Sequence, residues 1–328
     1  PFLVEPDARE ATIDRNGNIV FVMSPHRSEQ QEVVQVGFNG ERQEVLASGN
    51  LGQSRFKLAP DGRRLAFTTQ PTAGSTANQL WVKDLVRDIK FQLPIPPEWG
   101  VWELDWSTDN QYLYFLGGLT TNPRPSTLKI AADGSGSGTI LSESPGNVVP
   151  GGDQILLVTG IGGSPMADDP DSTEIWLQAV ADPDSRRFVL GGDGLYFPDH
   201  FAPDGNYLLY WLKRGDEEAC YLTRFPEFTG RWKISQGNNV SGTGFAPDGS
   251  AIYYVSDGAL FRVAFDGGPT PVLGRPERVC DLPDGGGRNL QLHPDGDSYL
   301  TTVDAMLPEG AENRHRIKFV QSWTEKIN

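Results

Sequence analysis

The feature that most constrains this chain is a turn that it repeats. Phe201-Ala202-Pro203-Asp204-Gly205 returns letter for letter as Phe245-Ala246-Pro247-Asp248-Gly249. Around both copies the pattern is wider: an apolar residue, a small residue, Pro-Asp-Gly, two variable positions, then an apolar run. Leu58-Ala59-Pro60-Asp61-Gly62 precedes Leu65-Ala66-Phe67, and Leu292-His293-Pro294-Asp295-Gly296 precedes Tyr299-Leu300. Degenerate copies are Trp106-Ser107-Thr108-Asp109-Asn110, Ile13-Asp14-Arg15-Asn16-Gly17 and Val148-Val149-Pro150-Gly151-Gly152. Taking the Pro position as marker, the copies stand at 15, 60, 108, 150, 203, 247 and 294. Their mean spacing of about 46 residues is the length of a four-stranded propeller repeat.

The motif is turn chemistry. Pro presets φ early in the turn, Asp accepts hydrogen bonds from backbone N–H groups ahead of it, and Gly takes the positive φ. An Asp at this place is structural before it is catalytic. Most turns are followed by material for two further strands, such as Gln79–Lys83 and Lys90–Leu93, or Leu260–Val263 and Pro271–Leu273. A lone blade of this kind has two apolar faces to bury, and radial stacking buries both. Trp81, Trp106 and Trp176 accordingly read as core between blades. The spacing predicts an all-β, seven-bladed β-propeller of four-stranded blades, one domain over residues 1–328. The last repeat offers Tyr299–Val303 and Ile317–Val320 but no further strand. The expectation is that the N-terminal strand, residues 2–5, closes that last blade and so removes the exposed sheet edges.

Composition agrees and excludes. Among 328 residues, 38 Gly and 25 Pro argue for short strands and turns rather than long helices. A net charge of −15 is the wrong sign for a nucleic-acid partner. No apolar run reaches the roughly 18–20 residues of a membrane span. Cys220 and Cys280 form no metal or redox spacing and read as free thiols rather than a bridge. The chain begins Pro1-Phe2 rather than with Met, which suggests a processed or excised part of a longer polypeptide.

With these residues in place, the chain resembles the TolB-type propeller repeat, an aromatic-Ser-Pro-Asp-Gly turn followed by an apolar strand. The C-terminal third, Gly230–Ser235, the second FAPDG turn, Ile252–Gly258 and Ile317–Trp323, is similar to bacterial propeller modules found alone or fused to serine/threonine kinases. Ser322 stands where those modules usually carry Asn. The resemblance implies a periplasmic or otherwise extracytoplasmic protein, with a cytoplasmic one as the alternative. It implies a scaffold or sensor that binds a protein partner or small molecule, and it supplies no catalytic motif and no cofactor.

Function must then lie where blades differ. No Gly-x-Ser-x-Gly elbow, HExxH, kinase triplet or EF-hand loop is present. The residues three before each marker are Thr12, Lys57, Asp105, Asn147, His200, Gly244 and Gln291, all on strands expected to line the central channel. Arg55, Glu103, Asp199 and Arg288 lie on or just before the same strands. Lys57, Asp105, Asn147, His200, Gln291, Arg55, Glu103 and Arg288 are therefore the candidate ligand-binding residues, since the propeller axis is a natural small-ligand site. A water-filled polar channel is the plainer reading. The first functional expectation is a non-enzymatic interaction or sensing module. The alternative is a carbohydrate-active lyase or hydrolase with His200, Asp105, Glu103, Lys57 and Arg288 at the channel mouth. The acidic run Asp168-Asp169-Pro170-Asp171, with Asp182 and Asp184, could hold Ca²⁺ but reads first as a solvated loop.

Overall fold

The repeated turns build one end of a ring of antiparallel sheets. In the computed structural model the described residues are 8–13, 19–23, 31–51, 55–70, 78–119, 125–160, 172–236, 240–283, 290–305 and 316–320. Six turns share one hydrogen-bond scheme. The N–H of the residue before the Pro position donates to the carbonyl of the first strand residue beyond the turn, as in Ala59 to Arg64, Ala202 to Tyr207 and Ala246 to Ala251, all at 2.8 Å. The Gly N–H then reaches back to the residue before the Pro position: Gly62 to Ala59, Gly205 to Ala202, Gly249 to Ala246. Asp Oδ1 accepts the N–H two residues on, from Arg63, Gln111, Asn206, Ser250 and Asp297. The last turn position has φ of +71° at Gly62, +74° at Gly205, +73° at Gly249, and +60° at Asn110, which tolerates this region better than most side chains.

Each turn joins the first two strands of a four-stranded blade. Blade I is Phe56–Leu58, Arg64–Thr69, Gln79–Asp84 and Ile89–Gln92. Blade II is Trp99–Trp106, Tyr112–Leu119, Ser126–Ala131 and Thr139–Ser142. Blade III is Gly146–Val148, Gln154–Thr159, Glu174–Ala179 and Asp182–Gly191, and blade IV is Leu195–Phe201, Tyr207–Arg214, Glu217–Arg224 and Trp232–Lys233. Blade V is Val240–Phe245, Ala251–Ser256 and Ala259–Asp266, with its outer position shared by Val272–Leu273 and Glu277–Asp281. Blade VI is Gln291–Leu292, Ser298–Asp304, Gln31–Gly37 and Arg42–Gly49.

The expectation of seven blades is therefore corrected to six. The first turn copy does not found a blade of the ring. Its flanking strands, Ala8–Ile13 and Ile19–Met23, form a three-stranded sheet with Arg316–Val320. The closure is corrected with it. The third place beside Ser298–Asp304 is taken by Gln31–Gly37, in register from Ser298 opposite Gly37 to Asp304 opposite Gln31, rather than by Ile317–Val320. The outer place belongs to Arg42–Gly49, while residues 2–5 lie outside the described residues. The physical reason is burial: Val33, Val34 and Val36 are at most 2% exposed, and they join the apolar faces of two neighbouring blades.

In most blades the second strand is sandwiched on both sides and is buried in a continuous run, whereas that of blade II, Tyr112–Leu119, alternates. Ile155–Val158, Leu208–Tyr210 and Ala251–Ser256 are buried throughout. Tyr207, Tyr210, Tyr254 and Tyr299 are among the largest fully buried side chains. Trp106 belongs to the core between blades I and II, as expected, and Cys220 and Cys280 are free. Among the described residues no helix is long and apolar enough to cross a membrane.

Candidate functional site at the axial channel

The first strands of the blades line the axis, and their starts lie at the end away from the turns. Along the channel wall that leads to this mouth, three of the six first strands carry a β-bulge. In blade II Val101 pairs with Gly117 and Glu103 with Leu116, leaving Trp102 unpaired. In blade IV Pro198 pairs with Tyr210 and Phe201 with Leu208, so Asp199 and His200 together oppose one residue. In blade V Gly242 and Thr243 stand in the same relation between Ser241 and Gly244. A bulge re-aims side chains that the regular alternation would send elsewhere.

The consequence is a polar chain across the axis. Lys57 of blade I and His200 of blade IV sit on diametrically opposite blades, and Lys57 Nζ lies 3.1 Å from His200 Nε2. An ammonium can only donate, so Nε2 accepts and Nδ1 carries the ring proton. That Nδ1 lies 2.8 Å from Asp199 Oδ1, a close polar contact off the line of a hydrogen bond. Asp199 Oδ2 accepts from the Trp211 indole at 2.9 Å and from the Thr243 hydroxyl of blade V. Burial by itself would raise the Asp199 pKa, but the His200 ring, the Thr243 hydroxyl and the Trp211 N–H outweigh it and bring it down to about 2. Behind this cluster the Cys220 thiol is pushed well up, by burial first and then by the Asp199 charge.

The Lys57–His200 bridge separates two cavities, of about 320 Å³ and 310 Å³, which share Lys57, Glu103, Leu104, Asp199 and His200. The first continues along Arg55, Trp211, Glu218, Ser241 and Gln291. The second continues along Asp105, Tyr114, Asn147 and Phe197. Five expected residues thus line the first cavity and five the second, but their roles divide. Gln291 clasps the neighbouring blade, accepting from Leu58 N at 2.6 Å and donating to Leu58 O at 2.9 Å. Asp105 accepts the Trp106 N–H at 2.9 Å. Arg55 donates to Trp102 O at 2.8 Å and stands 3.6 Å from Glu103. Gly244 brings no side chain, and Arg288 and the acidic run 168–171 lie outside the described residues. Asp182 and Asp184 are exposed on the outer strand of blade III, away from the axis. Among the described residues no three His, Cys, Asp or Glu side chains converge as a metal ion requires.

Residue-by-residue phase missed Trp211, Thr243, Glu218 and Trp102, and it named Asp199 only as a neighbour. A signal was present: Pro198 inside a strand, and Gly242 and Gly244 inside another, mark places where pairing is interrupted.

No protein-family model matches the chain, and no curated protein matches it. Solved structures do. A putative TolB from Agrobacterium tumefaciens superposes with a TM-score of 0.59 at 14% identity, covering 85% of this chain and 99% of that one. The fold is that of the TolB-type β-propellers. The periplasmic gluconolactonase PpgL of Pseudomonas aeruginosa gives a TM-score of 0.52 at 16% identity, over 92% and 98% of the two chains. An oligogalacturonate lyase in complex with manganese gives 0.50 at 12%, over 92% and 96%. At these identities the likeness is one of fold, and the structures that share it include enzymes of different activity.

Proposed function

We propose that this propeller is a non-catalytic binding module that takes its ligand at the axial mouth, between Lys57, His200 and the bulged first strands. The observation that carries it is the Lys57–His200 contact between opposite blades, set between two cavities of small-ligand size. The other candidate groups support binding over catalysis. A carboxylate pair that cleaves a glycosidic bond must face that bond from about 5–10 Å apart. Glu103 is turned toward Arg55, Asp105 onto a backbone N–H, and Asp199 is held ionised with its oxygens occupied. The lyase or hydrolase alternative rests on the fold alone. An extracytoplasmic location belongs to the same proposal and draws on the likeness to TolB-type propellers.

The test is a screen of small-molecule mixtures read by the indole N–H resonances of a ¹⁵N-labelled protein. Binders should move the Trp211 resonance, whose N–H is held by Asp199, and leave Trp176 of blade III, bonded to Glu174, in place. They should be recovered chemically unchanged. Conversion of a bound compound, or binders that never touch Trp211, would overturn the reading.

A further inference from the structure

Among the described residues at the mouth, some charged groups have a charge partner and others, Lys57 and Glu218, have none within ion-pair distance. Arg55 has Glu103 at 3.6 Å, and Asp199 has His200, Trp211 and Thr243. Lys57 differs. Among the described residues its side chain bonds to His200 Nε2, the acceptor face of a ring whose proton is on the other nitrogen. Among the described residues no carboxylate stands within 4.0 Å of Lys57 Nζ. An ammonium has three donors, so two are left for something else in the space. Removing a cation from water without a counter-charge is costly, and the shielded wall of a cavity is where such a charge awaits an anion.

The geometry points to a carboxylate ligand, seated on Lys57 Nζ in the cavity of about 320 Å³ beside His200 and Trp211. This rests on the reading of the mouth as a binding site and names the chemistry that it selects. The sign comes from Lys57. The size of the charge comes from the other walls: Glu103, Glu218 and Asp199 also line this cavity, three carboxylates against the two cations Lys57 and Arg55. A doubly charged phosphate meets that excess of negative charge and is repelled, whereas a single carboxylate is tolerated. Phe56, Leu290 and the Trp211 ring give the rest of the ligand an apolar wall to lie on. The acid is either free in solution or the C-terminal carboxylate of a peptide, and both present the same group to Lys57.

The experiment titrates the ¹⁵N-labelled protein with acetate, L-lactate, inorganic phosphate and methylammonium, following the Trp211 indole and His200 ring resonances. Acetate or lactate should shift both saturably, and phosphate and methylammonium should not. Lys57→Met should weaken carboxylate binding about tenfold or more, the loss of one charge-assisted hydrogen bond. Lys57→Arg should restore most of it, which shows that the Met variant's loss is not one of folding. Carboxylates that bind Lys57→Met as well as the wild type overturn the inference, as does saturable binding of methylammonium alone. If the screened binders at Trp211 are neutral or cationic and ignore Lys57→Met, the mouth stands as a binding site and the carboxylate falls. If nothing moves Trp211, both fall. A further arm compares acetyl-Gly-Gly with its amide. Tighter binding of the peptide acid than of lactate assigns the carboxylate to a chain terminus, and the reverse assigns it to a free acid.

Discussion

The two ends of the ring hold the same residue type under opposite rules. At the turns, Asp61, Asp204 and Asp248 are exposed and each caps a backbone N–H two residues on. At the mouth, Asp199 is about one-fifth exposed and is gripped by an imidazole, an indole and a hydroxyl from two blades. The turn end repeats its backbone hydrogen-bond scheme in all six blades, and an Asp fills the same role in five of them. The mouth end breaks the repeat with bulges in blades II, IV and V, and each bulge brings up side chains that the other blades lack. Repetition builds the ring and irregularity gives it an address.

The comparison is tested hardest by deleting both kinds of aspartate. Asp199→Ala leaves the Trp211 N–H and the Thr243 hydroxyl without their acceptor and His200 without the carboxylate beside its Nδ1. Each buried donor left unsatisfied costs about 1–3 kcal/mol, read as a lower urea midpoint. A loss no larger than that of a turn aspartate would erase the distinction between the two ends. Asp199→Asn, which keeps one acceptor oxygen, should fall between.

Acid should find the same difference. The Asp199 carboxyl has a folded pKa of about 2 against an ordinary value of 3.8, so its folded pKa is depressed. Stability from such a group is fully present above the unfolded value and is lost as pH falls through the folded one. The window is therefore pH 4 down to about 2, and the loss is about 2 kcal/mol. The wild type should lose stability across this window more steeply than Asp199→Asn, by chemical denaturation at each pH. Parallel curves would mean that the ionised form of Asp199 gains nothing from the fold. The turn carboxyl of Asp248 is also lowered, by hydrogen bonds from Ser250, but it is fully exposed and should add little to the slope.

The sequence carries these two ends with unequal clarity. Turns are local, so the copies could be placed from their apolar frame and turn residues, and six of the seven open a blade. The exception, Ile13–Gly17, lacks the proline, but so does Trp106–Asn110, which opens blade II. What sets Ile13–Gly17 apart could not be seen locally, because the partner of its second strand, Arg316–Val320, is almost 300 residues away. The closing strand Gln31–Gly37 was hidden for the same reason: its neighbour, Ser298–Asp304, is non-local, and nothing in Val33-Val34-Gln35-Val36 names it. At the channel, the phase three before the turn found Lys57 and His200, the pair that meets across the axis. It did not foresee that Gln291, which lines the cavity, also clasps the next blade, because phase reports only which way a side chain points. It passed over Trp211 and Thr243 because a bulge shifts phase by one, and because Trp211 comes from a second strand.

The smallest effects belong to the turn end, and they test whether its copies are interchangeable. Gly205 has φ of +74° and open space where a Cβ would go, so Gly205→Ala carries only the backbone penalty of that region, about 1 kcal/mol. Asp248→Ala removes one bond, from the Ser250 N–H at 2.9 Å, on an exposed turn where water can replace it. The cost is about 0.5–1 kcal/mol. Asp61→Ala should match it, since Asp61 makes the same single bond to the Arg63 N–H at 2.9 Å. Asp295→Ala should not. Asp295 also meets Ser298, Gln35 and, through Oδ2 at 2.8 Å, His293, and so ties the turn of blade VI to the strand that closes the ring. Equal losses at all three positions would show that the closing blade draws nothing from this network. A larger loss at Asp295, with carboxylate binding at the mouth unchanged in every turn variant, would show that the turn end bears on stability and leaves recognition to the mouth.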